Sequence, residues 1–360
     1  MTMGSARTLA QIYRRFAEAD DRSSLYRHVA LALSESGDAL RAIEATPARK
    51  RNPAMILAAL HDLALAGRAS TLAAAYAAAD KDAAPSAAID TLTRMTDAVA
   101  ATAASRPAPA DETGRHAVLY PAIAEAARRA GANAVGLIDI GRSAGLNLNV
   151  DRVGITYTGG PSLGDPSSPV QLSARIAQDR PVPTREMPEV VARIAVDRSP
   201  LDVTDPDDAR WLRACLPPDQ PGQPGQPERT ARLQAEMDLL ATTPPQLMRG
   251  NPVALLNDAI SRVPAGALPV VITTWALSRF PLETRHRFLR QLEEAAAGRA
   301  VSWVSAEGVA VAPSIPTLGD RPASGHSIIG LALFGQSAQP AEALGRCWSR
   351  GSVVAWLADQ

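Results

Sequence analysis

Val135-Gly-Leu-Ile-Asp-Ile-Gly-Arg-Ser-Ala-Gly-Leu-Asn-Leu148 decides how this chain reads. Its first six residues form a short, almost wholly apolar run, the pattern of a strand buried on both faces. Gly141 and Gly145 then bracket a turn, and the apolar residues beyond it fit the start of a helix. A strand, a glycine turn and a helix start build the ligand site of an α/β domain, because glycines admit a ligand to bare backbone and the helix N–H groups face it.

On the C-terminal side, apolar runs at 191–196, 246–248, 268–273 and 301–304 alternate with helical stretches, the order expected of a parallel sheet covered by helices. Residues 154–173, rich in Gly, Pro and Ser, read as a hairpin or lid, and Gln220-Pro-Gly-Gln-Pro-Gly-Gln226 as a low-complexity loop without chemistry. Runs at 327–334 and 352–356, separated by Gly335, a polar stretch and Gly345, predict an antiparallel pair at the sheet edge. On the N-terminal side, residues 8–130 are rich in Ala, Leu and Arg with apolar residues three and four apart, and no strand is expected there. Gly67 and Gly131 fit helix stops, and Arg106-Pro-Ala-Pro-Ala-Asp111 fits a loop. The expectation is therefore an α/β protein with a helical cap domain over 1–130. Over 131–360 it has a class I methyltransferase-like (Rossmann-like) domain, whose five strands and closing pair make a seven-stranded sheet.

The 360 residues carry 37 basic and 37 acidic side chains, so no net field gathers nucleic acid or an anionic membrane. No segment approaches the ~20 uninterrupted apolar residues of a membrane span, and a cytoplasmic protein is expected. Cys215 and Cys347 stand outside any CxxC spacing and read as two reduced, buried thiols. The five histidines, 28, 61, 116, 286 and 326, show no metal-ligand spacing, and no metal is expected. His61 reads as a satisfied core residue sooner than as part of a site.

The turn admits three chemistries. Asp139-Ile-Gly-Arg-Ser-Ala-Gly145 matches the acid-x-G-x-G-x-G loop of S-adenosylmethionine-dependent methyltransferases, with Ser143 at the middle glycine. The cofactor would then lie against Asp139, Gly141, Ser143, Gly145 and Asn147. Asp197, ending the next core strand, would grip the ribose, and Asn251, after the third, would read the adenine amino group. The same residues match G-x-S-x-G, the nucleophile elbow of α/β-hydrolases, in which Ser143 attacks and His286 or His326 takes its proton. Strands should precede such an elbow, and here none is expected. The plainest reading is that Gly141 and Gly145 only permit tight strand-to-turn packing. Thr273, with Thr274, Trp275 and Ser278 just beyond it, ends the 268–273 run and stands where open α/β sheets bind substrate. Glu112 and Arg115, three apart, fit a clamp for a carboxylate or amine, or simply a surface pair.

With these residues in view, the chain resembles the bacterial domain of unknown function 2332 family. The resemblance rests on Arg51-Asn-Pro53 with Leu60-His-Asp62, Glu112-Thr-Gly-Arg115 and Gly141-Arg-Ser-Ala-Gly-Leu-Asn-Leu148. It rests further on Pro200-Leu-Asp-Val-Thr-Asp-Pro206 and on Asp219 with Gln226-Pro-Glu-Arg229. It implies a helical cap fused to a methyltransferase-like sheet and supplies no substrate. It also implies Asp at the position of Asn251 and His near Thr273, so this chain lacks an adenine-reading acid and a general base. Three functions arise as expectations. The first is an S-adenosylmethionine-dependent enzyme acting on a small molecule. The second is a cofactor-free enzyme on the same fold that displaces an anionic leaving group internally, as in aziridine ring closure in natural-product biosynthesis. The third is a non-catalytic subunit of a hetero-oligomer, while an enzyme of either kind is compatible with a homo-oligomer.

Overall fold

A computed structural model describes residues 8–19, 23–108, 113–141, 144–177, 180–218, 229–335 and 339–358. The chain divides into two compact units, Met1–Asp111 with Asp205–Leu233, and Glu112–Thr204 with Gln234–Gln360. Helix His116–Ala130, grouped by its composition with the cap, lies in the second unit, whereas Asp205–Leu233 rejoins the first.

The described part of the first unit holds helices and turns and no strand. Helix Pro53–Leu65 is apolar around most of its circumference and nearly every residue is buried, as suits the centre of a helical layer. Proline at its first position supplies a preset φ, and Asn52 Oδ1 accepts the N–H of Met55 at 3.0 Å, so the chain has little choice about where the helix begins. Helix Pro206–Ala214 repeats the device: Asp205 accepts from the N–H groups of Asp207 and Asp208. Arg210 on that helix reaches Asp62 at 3.0 Å and ties the two helices together.

The second unit is built on one sheet. Its strands are β1 (Ala134–Ile140), β2 (Gly154–Thr158), β3 (Ser162–Gly164), β4 (Gln171–Ile176), β5 (Glu189–Asp197), β6 (Gln246–Arg249), β7 (Leu268–Thr274), β8 (Val301–Gly308), β9 (Ser327–Phe334), β10 (Gln339–Trp348) and β11 (Val353–Trp356). They lie in the order β3-β2-β4-β11-β10-β9-β8-β7-β1-β5-β6. The expected seven-stranded sheet is thus an eleven-stranded one. The five expected parallel strands are present as β6-β5-β1-β7-β8, all mutually parallel.

The added strands come from two places. Residues 154–173, expected as a hairpin or lid, contribute β2, β3 and the start of β4, which extend the far edge of the sheet. At the C-terminus the expected partners do not pair: β9 pairs with β10, and β10 with β11. Strand β10 reads as polar because Gln339, Glu342 and Arg346 punctuate it, yet its register places Gly345 against β11. A Cβ there would stand 2.3 Å from the Ala355 carbonyl oxygen, so the glycine that reads as a break permits the close approach of two strands.

Side-chain alternation sorts the unit into two cores, one on each face of the sheet. Val135 and Leu137 of β1 with Val270 and Ile272 of β7 pack on the face that helix His116–Ala130 covers. Ile138, Ile140, Val271 and Trp303 pack on the other. Two residues beyond Leu137 and Ile272, the same parity carries Asp139 and Thr274 to the first face, at the carboxyl ends of β1 and β7.

Candidate functional site

Within the parallel strands the order reverses between β1 and β7: after the excursion of β2–β4 to the far edge, the chain adds β5 and β6 on one side of β1, then returns to its other side for β7 and β8. Crevices of open α/β sheets form at such a reversal, at the carboxyl ends of the strands. Here those ends carry a buried polar network. Asn147 Nδ2 donates to Asp139 Oδ2 at 3.0 Å and to Thr274 Oγ1 at 3.1 Å. Arg115 Nη1 donates to the same Thr274 oxygen at 2.8 Å. A carboxylate only accepts, so Asp139 dictates which end of the Asn147 amide faces it. Arg115, Asp139, Asn147 and Thr274 are all buried, and the guanidinium carbon lies 5.3 Å from the Trp275 ring centroid.

Trp275 is the strained member. Its φ is +50°, a left-handed conformation that costs a bulky residue roughly 1–2 kcal/mol. Its neighbours hold it there: its N–H donates to Ala306 O at 2.9 Å and its indole Nε1 to Ser327 Oγ at 2.8 Å. The next two backbone N–H groups, of Ala276 and Leu277, donate to Glu307 Oε1 at 2.9 and 3.1 Å. Glu307 is wholly buried and nearly ends β8, as Asp139 nearly ends β1. Strain maintained from several sides is a mark of functional sites.

The glycine turn departs from its expected form. Gly141 and Gly145 have φ of +72° and +70°, as a turn requires. The turn leads into a 3-10 helix over Leu146–Arg152 instead of an α-helix, and this segment is buried from Leu146 to Val150. Two polar residues are sealed into it: Asn147 serves the network, and Asn149 Nδ2 donates to Glu236 O at 2.9 Å. His116 at the start of its helix meets Leu146 O at 3.0 Å and pins the turn from the other side. A Cβ on Gly145 would come within 3.1 Å of both Ala195 Cβ and Leu148 Cδ1, and one on Gly141 within 3.3 Å of Ala276 Cβ. The protein's own side chains occupy that space, which supports the plain packing role. Gly145→Ala is accordingly expected to lower stability by about 1–2 kcal/mol. Gly67→Ala shares that backbone strain at φ of +72° but meets nothing within 4 Å, so it should cost about 1 kcal/mol, at the lower end of the same range; urea midpoints of the two variants check the ordering.

The remaining expected site residues do not join the network. Thr273 is buried on the opposite face, its hydroxyl accepting from Trp303 Nε1 at 3.0 Å, so it is a core residue of the far layer. Asp197 is half-buried and its Oδ1 accepts the N–H of Ser199 at 2.8 Å, an Asx turn. Asn251 is exposed, and its Oδ1 accepts from the N–H of Val253 at 3.0 Å, so the oxygen expected to read adenine starts the next turn. Glu112 and Ser143 lie outside the described residues. Glu307 and Ser327 are the residues around the network that sequence reasoning left out, whereas Thr274 lies at the strand end it singled out. An acid ending a buried apolar run, as Glu307 does, is a signal that could have found one of them.

A family model described as "Uncharacterized protein conserved in bacteria (DUF2332)" matches residues 10–356. The chain belongs to this family. No curated protein and no solved structure matches the chain. The stretches that carry the DUF2332 resemblance divide by role. Asn52, Asp202 and Asp205 hold turns and helix starts, and Asp62 holds Arg210. Arg115 and Asn147 belong to the buried network.

The donor set speaks against an S-adenosylmethionine site of the expected kind in this DUF2332 protein. The space beside both glycines holds side chains, Asp197 and Asn251 serve local turns, and a 3-10 segment stands where the cofactor-facing α-helix should start. The cavity beside Ala144 has a volume of about 260 Å³ and is walled by Leu201, Asp202, Leu240, Pro245 and Leu247, with none of the expected cofactor residues in its described lining. The hydrolase reading meets a separate obstacle. His326 Nε2 faces Asp320 Oδ2 at 2.8 Å and Nδ1 faces Ser324 O at 3.3 Å, so both ring nitrogens meet acceptors and neither is placed to take a proton from a serine. His286 is exposed on helix Leu282–Ala295. Among the described residues there is no cluster of three metal-ligating side chains, and no helix is long and apolar enough to cross a membrane. Cys347 is buried, which pushes its thiol up to about 12, while Cys215 is only half-buried, not sealed as expected.

Proposed function

We propose that this protein is an enzyme acting on a small anionic molecule at the carboxyl ends of β1 and β7, and that it works without S-adenosylmethionine. One observation carries the reading: Arg115, Asn147, Asp139 and Thr274 form a buried network where the sheet order reverses, beside a Trp275 held in a strained conformation. Burying charge and holding the Trp275 backbone in a left-handed conformation both cost stability, and folds retain such features where they serve a site.

The chemistry that suits the arrangement is an internal displacement. The substrate's own nucleophile forms a bond to carbon as the bond from that carbon to an anionic leaving group breaks. The electron pair departs with the leaving group, whose charge the Arg115 guanidinium stabilises. Asp139, held by Asn147, takes up the proton that the nucleophile gives away, and Trp275 walls the site. A methyltransferase-like reading keeps one observation in its favour, the order β6-β5-β1-β7-β8 with its reversal beside the glycine turn.

A thermal-shift titration separates the two. S-adenosylmethionine and S-adenosylhomocysteine are expected to leave unfolding unchanged, whereas a ligand at 100 times its Kd adds about 2.7 kcal/mol, and a rise of that size would overturn the cofactor-free reading. Inorganic phosphate at about 5 mM, too dilute for general salt effects, is expected to stabilise the wild type and not Arg115→Lys, in which a point charge replaces the planar fork. Equal response of the two proteins would remove Arg115 as the anion centre.

A further inference from the structure

Strand β8 runs parallel to β7 and β9 antiparallel to β8, so the exit of β8 and the entry of β9 both lie at the sheet edge that carries the β1/β7 network. Residues 309–326 join the two strands there as a strap. At its ends stand the residues that hold Trp275: Glu307, which accepts the N–H groups of Ala276 and Leu277, and Ser327, which accepts from the indole. The first half of the strap belongs to the core. Ala312 and Ile315 are buried, and Ile315 Cδ1 fills the space beside Gly330 of β9, 2.8 Å from where a Cβ would stand. From Pro316 to Gly325, in contrast, each residue is half-buried or exposed.

Among the described residues, the side-chain bonds that fasten this outer half converge on Asp320. Arg346 of β10 grips its carboxylate as a fork, with Nε at 2.6 Å and Nη2 at 3.1 Å, and His326 Nε2 meets it at 2.8 Å. Its bonds to Arg346 hold the Asp320 carboxyl below the usual carboxylate range, so the fork stays charged at neutral pH. His326 immediately precedes Ser327 and has its ring 5.4 Å from that of Trp348, while Arg346 lies opposite Ile328, the residue after Ser327. Asp320 thus fixes the chain on both sides of the serine. Leu318, two residues from Asp320, is exposed and has φ of +57°, a strain that persists only while contacts hold the turn.

We infer that the outer strap is a gate latched by Asp320 between Arg346 and His326, and that the latch sets Trp275 through Ser327. With the fork closed, Ser327 Oγ stands within reach of the indole N–H, and the left-handed conformation at Trp275 is retained. With the fork open, the outer strap leaves the sheet edge, Ser327 withdraws from the indole, and the Trp275 backbone relaxes. Opening admits ligand to the edge and closing completes the wall that Trp275 provides; this role of the gate rests on the β1/β7 site proposed above, whereas the latch itself does not.

The full chain labelled with 5-fluorotryptophan tests the coupling, with the fluorine resonances of Trp275, Trp303 and Trp348 each assigned by loss in the corresponding Trp→Phe variant. Asp320→Asn, which keeps the size and removes the charge, is expected to displace the Trp275 resonance along with that of Trp348, and to leave that of Trp303, on the far face of β8, in place. It should also speed thermolysin cleavage before Leu318 at least ~10-fold, since cleavage tracks the population of the open form. Arg346→Lys, which keeps the charge and loses the fork, should move both readouts in the same direction by less. If one variant fails to fold, the other still decides. An unmoved Trp275 resonance would overturn the inference, as would unchanged cleavage at Leu318. No ligand enters either measurement, so loss of the phosphate response would count against the proposed function alone.

Discussion

Arg115→Met is expected to destabilise the chain by about 3–5 kcal/mol, because it removes the cation from a buried network and leaves that network's polar groups behind. The guanidinium makes a 2.8 Å bond to Thr274 Oγ1 and covers the Trp275 ring, so methionine replaces the volume and none of the charge. Asp139 then keeps a buried carboxylate, held by Asn147, in surroundings that have lost this cation. Adding Asp139→Asn to that background should restore part of the loss, since an amide costs far less than a carboxylate to keep in the interior. The double-mutant cycle, measured by urea unfolding, is expected to give a coupling of about 1–3 kcal/mol through Thr274 and Asn147. Strict additivity of the two single changes would mean that these residues are separate structural features, and the site proposed between β1 and β7 would lose its basis.

A second large effect is expected in acid. Burial holds the His61 imidazole well below its ordinary range, at about 4 against 6.5 for a free side chain, although backbone contacts from Ala214 and Leu216 pull the other way. Below pH 6.5 the unfolded chain takes up a proton that the folded chain refuses. Its contribution to stability is therefore complete above pH 6.5 and falls away as the pH drops to about 4. The fall should amount to about 3 kcal/mol, the size of the shift converted at 1.36 kcal/mol per unit. His61→Leu should flatten the stability profile over that window. Desolvation works against ionising Glu125, but its bonds to Arg128 and Arg129 prevail and hold it at about 2. Its contribution is lost only as the pH falls from about 4.5 toward 2, and the two windows are distinguishable. An unchanged profile in His61→Leu would show that acid sensitivity arises elsewhere.

The two effects sit on residues of opposite legibility. His61 reads correctly from sequence as a core histidine, because it lies inside the apolar run of Pro53–Leu65, where little surface exists. Arg115 is legible only as half of a pair with Glu112, and spacing of three suits a surface clamp as well as a buried anchor. Thr273 and Thr274 make the point most directly. Composition cannot choose between adjacent threonines, yet alternation along β7 sends Thr273 to Trp303 and Thr274 to Arg115 and Asn147.

Local chemistry alone determined the all-helical character of the described part of 1–130, the five parallel strands and the glycine turn. These depend on period, on proline and glycine, and on the side-chain caps that begin helices, all of which act within a few residues. Tertiary structure decided the rest. It inserted β10 between the two strands expected to pair, because Gly345 lets β11 approach an otherwise polar run. It carried residues 154–176 to the far edge of the sheet, replaced the expected α-helix after the turn by a buried 3-10 segment, and drew Arg115 and Thr274, 159 residues apart, to one hydroxyl. Pairing, register and the burial of charge are set by contacts between distant segments, and such contacts leave no periodic trace in the segments themselves.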